Sequence, residues 1–135
     1  MADDAQQLLD AARAAAARAF APYSGYRVGA AVRTRSGEIV VGCNVENASY
    51  GLSMCAERVA VFAAVTRGLV SRDAPIDAIC VHAPTRPAPW PCGACRQVLN
   101  EFAAAELPVV VDGPDGVIQS TLGALLPHAF RLGER

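Results

Sequence analysis

Cys55-Ala56-Glu57 and Pro91-Cys92-Gly93-Ala94-Cys95 set the tightest constraint on this chain, because their cysteines must converge from segments 37 positions apart if they act together. Each fragment opens a stretch with helical periodicity. Cys55 to Arg67 reads as a helix with Gly68 as its C-terminal stop, and Cys92 to Ala105 reads as a second helix. Cys92 and Cys95 are three apart, so on a first helical turn they share one face. A fold that uses all three cysteines therefore aims the N-termini of two helices at one point, where the partial positive charge of helix ends favours thiolates.

The rest of the chain supplies a sheet for those helices. Residues 1–20 read as a helix, with Leu8, Leu9, Ala12, Ala16, Ala19 and Phe20 recurring on one side. Pro22-Tyr23-Ser24-Gly25 ends it in a loop. Arg27 to Thr34 and Glu38 to Asn44 read as strands joined at Ser36-Gly37, and Ile76 to His82 as a third strand. A loop with Pro84, Pro87, Pro89 and Pro91 leads into the second cysteine helix. Val109 to Val111 and Val117-Ile118 are the last strands, and Thr121 to Leu126 a short closing helix. The order αββαβαββα implies an α/β layer with helices on a mixed sheet. Only five residues separate the last two strands, which suits antiparallel pairing, since a parallel pair needs a dozen or more.

Composition removes several classes of function. A chain of 135 residues, 53% hydrophobic, is sized for one domain, residues 1–135, with a proper core. The net charge is −1 and no basic run stands out, which argues against a grip on a nucleic-acid backbone. All 12 basic residues are arginine, so Schiff-base chemistry and a lysine-bearing phosphate loop are excluded. Met1-Ala2-Asp3-Asp4 does not resemble a secretory signal, and no run of about 20 apolar residues exists to span a membrane. The odd cysteine count, 5, favours a reducing cytoplasm over a disulfide framework.

Three thiolates can hold one zinc ion and leave the fourth tetrahedral position open to water, the arrangement of a catalytic site. A Cys-x-x-Cys pair alone is ambiguous, and Trp90-Pro91-Cys92-Gly93-Ala94-Cys95 also looks superficially like a dithiol redox site. Cys55-Ala56-Glu57 decides for the metal, because a dithiol enzyme has no use for it. Zinc deaminases carry His-x-Glu followed by Pro-Cys-x-x-Cys, and this chain shows the all-cysteine variant. Cys43 and Cys80 read as buried free cysteines on apolar strands, and neither His82 nor His128 has ligand spacing. Three thiolates around Zn²⁺ leave a net negative charge, so a nearby cation is expected. Arg58, three after Cys55, can reach the sulfurs, and a surface salt bridge is its plainer role. Glu57, two after Cys55, would point elsewhere on a regular helix. It enters the site if Cys55 sits at the helix boundary with non-helical dihedrals, and can then shuttle protons.

With these motifs in place the chain resembles the small homotetrameric cytidine deaminases nearly end to end. The matching pieces are Pro22-Tyr23-Ser24-Gly25-Tyr26-Arg27-Val28-Gly29-Ala30-Ala31, Gly42-Cys43-Asn44-Val45-Glu46-Asn47-Ala48, Cys55-Ala56-Glu57-Arg58, Pro91-Cys92-Gly93-Ala94-Cys95-Arg96-Gln97 and Leu125-Leu126-Pro127-His128-Ala129-Phe130. The resemblance implies a three-layer α/β fold, a five-stranded mixed sheet with helices on both faces. It implies one zinc per chain on Cys55, Cys92 and Cys95, and hydrolysis of free cytidine and 2′-deoxycytidine in pyrimidine salvage, with a zinc-activated water and Glu57 as proton shuttle. It assigns the ribose to Asn44 and Glu46, which physics supports, because residues two apart in an extended strand share a face. It adds Tyr26, where relatives usually have phenylalanine, beside the pyrimidine, together with Ala56 and the carbonyl of Pro91. Trp90 stands where relatives commonly have serine. Phe130 is implied to enter a neighbouring subunit's site in a homotetramer. Other readings are a deaminase of a base within RNA or DNA, a deaminase of a nucleoside antibiotic of the blasticidin type, and a non-enzymatic zinc module. Charge and the antiparallel ending oppose the first, Asn44-Val45-Glu46-Asn47 the second, and the open coordination position beside Glu57 the third.

Overall fold

The computed structural model describes residues 2–133; Met1, Glu134 and Arg135 lie outside the described residues. Five strands form one mixed sheet in the order β2-β1-β3-β4-β5. They are β1 (Gly29–Arg33), β2 (Ile39–Cys43), β3 (Ala78–His82), β4 (Pro108–Gly113) and β5 (Gly116–Thr121). Only β3 and β4 run parallel, joined through a helix, while the remaining pairs are antiparallel. The last two strands pair as their short connection requires, and the strands are longer than the valine runs suggest. The connection shrinks to Pro114 and Asp115.

Alternation along the strands divides the core into two layers. Ala31 and Cys80 face α1 (Ala2–Ala16), packing with Leu8 and Ala12. Ala30, Val32, Val40, Ile79, Val81, Val109 and Val111 face the other way. They meet Ala60 and Val61 of α2 (Ala56–Thr66) and Leu99 of α3 (Gly93–Phe102). Helices thus cover both faces. Two glycines let them come close. A Cβ on Gly29 would lie 2.0 Å from the Ala12 carbonyl oxygen of α1, and one on Gly42 would lie 2.4 Å from the Ala60 nitrogen of α2. Along α2, Ala60 is buried against the sheet and Val59 and Ala63 are half-buried.

The first helix stops at Ala16, short of the periodic pattern. Phe20 is 54% exposed and its backbone serves a different purpose. Its N–H donates to the Asn44 carbonyl at 3.0 Å and its carbonyl accepts from the Glu46 N–H at 2.8 Å. Val45 in turn exchanges two hydrogen bonds with Met54, at 2.9 and 3.0 Å. These bridges strap the segment bearing Asn44 and Glu46 to the residue before Cys55. A short 3-10 turn, Tyr50–Leu52, lies between.

Asp112 ties the α1 side together. His82 and Asp112 are register partners on β3 and β4. The buried carboxylate takes His82 Nδ1 at 2.7 Å and Arg13 Nε of α1 at 2.8 Å. Burial works against its ionisation, but the hydrogen bonds from Arg13 and then His82 outweigh it and hold the carboxyl below its usual range. A depressed folded pKa stabilises above the unfolded value of about 3.9 and loses that contribution as pH falls through the folded value. Asp112→Ala should therefore cost about 2 kcal/mol at pH 7, the worth of hydrogen bonds to a buried charged carboxylate. Denaturant unfolding at pH 7 and below pH ~4 checks this, because the difference should shrink in acid. Equal stability at pH 7 would show that the clamp contributes nothing.

Candidate active site

Cys55 and Cys92 are the N-caps of α2 and α3. Both are extended, with φ/ψ of −74°/149° and −67°/168°, and neither side chain caps its helix. Their sulfurs are thus left free of the helix starts that they adjoin. Cys95 follows within the first turn of α3 and is buried. The three Sγ atoms lie within 4.8 Å of one another, with Cys55–Cys92 at 3.9 Å and Cys92–Cys95 at 3.5 Å. A tetrahedral zinc with Zn–S bonds of about 2.3 Å sets neighbouring sulfurs about 3.8 Å apart, so the trio fits that ion. No other metal-competent cluster of His, Cys, Asp or Glu occurs among the described residues.

The non-helical dihedrals at Cys55 are what let two neighbours share the site with it. Arg58 turns back so that Nη2 donates to Cys55 Sγ at 3.4 Å, while its Nε is buried without a hydrogen-bond partner. Its pKa is raised, first by the bond to Cys55. The Cys55 thiol is held low and the Cys95 thiol high. Hydrogen bonding from Cys95, then from Arg58, outweighs burial and brings Cys55 down to about 5. Glu57 lies on the cavity wall beside this cluster with only 5% of its surface exposed. Burial, reinforced by the nearby Cys55 charge, pushes its carboxyl up to about 7. A carboxyl in that state can both take and return a proton near neutrality.

The cavity, about 930 Å³, is also lined by Tyr26, Asn44, Glu46, Ala56, Arg86 and Trp90. Asn44 clamps the backbone before β1, accepting from the Val28 N–H at 2.8 Å and donating to the Tyr26 carbonyl at 2.7 Å. Glu46 accepts from the Tyr23 and Ser24 N–H groups at 2.9 and 3.1 Å and from the Ser24 hydroxyl. The Ser24 hydroxyl is the main reason its carboxyl is held below the usual range. Two residues apart, both side chains do reach one cavity, and both also hold the loop opposite, a duty that strand geometry alone does not reveal. Pro91 is fully buried and its carbonyl accepts from Arg96 Nε at 2.7 Å.

Phe130 is 68% exposed and does not line its own chain's cavity. Cys80 is buried as expected. Cys43, at the end of edge strand β2, is only half-buried, its thiol donating to the Arg18 carbonyl at 3.5 Å. Arg86 escaped sequence reasoning. Its guanidinium carbon lies 4.9 Å from the Tyr26 ring centroid, and its one sequence signal is a lone cation inside a proline-rich loop. Trp90 closes that loop, its N–H donating to the Ala88 carbonyl at 2.7 Å across Pro89.

The sheet, the two converging helix starts and the three sulfurs beside a buried carboxyl define a zinc-dependent hydrolytic enzyme. The family described as the cytidine and deoxycytidylate deaminase zinc-binding region matches residues 2–111, and the chain belongs to that family. A cytidine deaminase from Halalkalibacterium halodurans is 47% identical over 129 residues, covering 94% of each chain. The crystal structure of cytidine deaminase from Burkholderia pseudomallei superposes with a TM-score of 0.85 at 46% identity, covering 93% of this chain and 98% of that one. A blasticidin-S deaminase from Bacillus cereus is more distant, 27% identical over 112 residues and covering 78% of this chain and 77% of its own.

Proposed function

We propose that this protein hydrolyses the 4-amino group of free cytidine and 2′-deoxycytidine, giving uridine or 2′-deoxyuridine and ammonia. The observation that carries the reading is Glu57, a buried carboxyl raised to about 7, on the wall of one cavity with Cys55 and Cys92, whose sulfurs converge with that of the buried Cys95. Cys55, Cys92 and Cys95 hold zinc, which when bound supplies Lewis acidity that makes water a nucleophile near neutral pH. Glu57 takes one proton from the water that attacks C4 and passes it to N3, then takes the second from the hydroxyl now on C4 and passes it to the departing amine, so both water protons are delivered and Glu57 ends as it began. Arg58 offsets the negative charge that three thiolates bring, through its bond to Cys55 Sγ. Tyr26 and Ala56, on the cavity wall, flank the ring. The carbonyl of Pro91, a buried residue outside that wall, takes the leaving amine with the lone pair that Arg96 leaves it.

Asn44 and Glu46 take the ribose hydroxyls with the hydrogen-bonding capacity that remains to them. Remote contacts of this kind position the reacting ring, so free cytosine should be a very poor substrate. The test follows loss of cytosine absorbance and release of ammonia from cytidine and from cytosine. Glu46→Ala should lose roughly tenfold to a hundredfold in kcat/KM on cytidine, the worth of charge-assisted hydrogen bonds, and far less on cytosine. Equal loss on both would reduce Glu46 to its grip on Tyr23 and Ser24. No ammonia from cytidine would end the whole reading.

The working unit is a homotetramer of one-domain chains. Support comes from Phe130, exposed and outside its own cavity, and from exposed apolar side chains such as Val41 and Phe62. No helix among the described residues is long and apolar enough to cross a membrane. Five cysteines with no disulfide among them suit the reducing cytoplasm.

A further inference from the structure

Helix α3 bears metal-ligating sulfur at its start and, further along, three side chains that reach the C-terminal segment. Arg96 Nη1 donates to the Leu125 carbonyl at 2.8 Å. Gln97 Nε2 and Asn100 Nδ2 both donate to one acceptor, the Phe130 carbonyl, at 3.0 and 3.1 Å. A backbone carbonyl has two lone pairs, and these two amides occupy both. Asn100 is 3% exposed. Were the Phe130 carbonyl to move away, the Asn100 amide would be left buried without that acceptor, so the site resists displacement of this residue. The ring shows the opposite behaviour, since Phe130 is 68% exposed. A backbone carbonyl held by two amides from one face of α3, in a residue that is otherwise largely exposed, is the construction of a presented group.

We propose that Asn100 and Gln97 are positioning residues that hold the Phe130 backbone so that its ring is presented to the active site of a neighbouring protomer. This rests on the reading that Phe130 completes that neighbouring site. The same helix then links two sites. Its first turn contributes Cys95 to the metal cluster of its own chain, and its later turns aim the aromatic of the next. The anchoring amide does not touch substrate, so its loss acts through ring placement and shows in KM more than in kcat.

The test uses the zinc-loaded full chain and cytidine. Asn100→Leu keeps the shape and removes the donor, and Gln97→Met does the same at a half-buried position where folding is less at risk. Each should raise KM roughly tenfold, the worth of one hydrogen bond read as binding, with zinc content unchanged. Phe130→Ala should raise KM further. The double variants Asn100→Leu/Phe130→Ala and Gln97→Met/Phe130→Ala should be no worse than Phe130→Ala, because groups that act only through the ring have nothing left to lose. In addition, Asn100→Leu or Gln97→Met chains reassembled with Glu57→Gln chains should regain a native KM at part of their sites, since the inactive partner supplies a correctly held Phe130. Independent losses that multiply in both double variants, or no recovery on mixing, would overturn the positioning role. Wild-type kinetics in both Gln97→Met and Asn100→Leu would do so as well. Wild-type kinetics in Phe130→Ala would instead remove the reading of Phe130 itself.

Discussion

Glu57→Gln should lose nearly all turnover, by roughly 10²–10⁴-fold or more, while keeping its zinc. The two side chains have almost the same shape, and the parent carboxyl is 5% exposed, so the cavity wall should survive. What changes is proton traffic. A carboxyl raised to about 7 by burial exists in both protonation states near neutrality. An amide can neither take the proton from the attacking water nor return one to N3 or to the amine. Glu57 also stands outside the set of three sulfurs that lie within 4.8 Å of one another. Metal content and turnover should therefore separate, with one zinc per chain and almost no ammonia. Near-native turnover would refute the proton-shuttle role, whereas loss of zinc would place Glu57 among the ligands.

The cysteine cluster and Arg58 were readable in the sequence because their relations are local to two helix starts. A spacing of three on a first turn puts two side chains on one face, whatever the remainder of the fold does. Glu57 was harder, since helical spacing directs it away from Cys55. The extended dihedrals of Cys55 resolve that, and the sequence could state them only as a requirement. The antiparallel ending followed from the length of the last connection, whereas the order of the strands in the sheet, β2-β1-β3-β4-β5, did not, because it depends on pairings between distant segments. The features that escaped depend on segments far apart in the chain. Phe20 leaves a helical pattern to pair with Val45, because tertiary pairing overrides local periodicity. The Arg13–Asp112–His82 clamp joins three elements, and no one of them carries a mark of it. Cys43 sits on edge strand β2, and an apolar run alone does not distinguish an edge strand from a central one such as β1. Arg86 meets Tyr26 only through the course of a proline-rich loop, which sequence periodicity does not describe.

Stripping the metal should abolish activity outright and lower the melting temperature, and adding zinc back should restore both. The structural reason is the position of the ligands. Cys55 begins α2 while Cys92 and Cys95 begin α3, so one ion fastens two helix starts that the sequence separates by 37 positions. Without it, three sulfurs within 4.8 Å must share protons, and Cys55 ionises at about 5 against Cys95 and Arg58. Between the sulfurs themselves only weak hydrogen bonds then remain, and the two helix starts are left to the packing of α2 and α3 on the sheet. A ligand present at a thousand times its Kd stabilises the folded state by about 4.1 kcal/mol, so even moderate affinity makes the difference large. Cys92→Ala offers an independent route, because it removes one thiolate at an exposed cap and leaves the buried Cys95 in place. It should bind zinc weakly, lose turnover and melt close to the chelated parent. The measurements are zinc per chain, ammonia release and thermal unfolding, each before and after chelation. Full turnover with well under one zinc per chain would sink the metal assignment. A chelated protein that melts like the parent but is inactive would confine zinc to chemistry and remove it from the architecture.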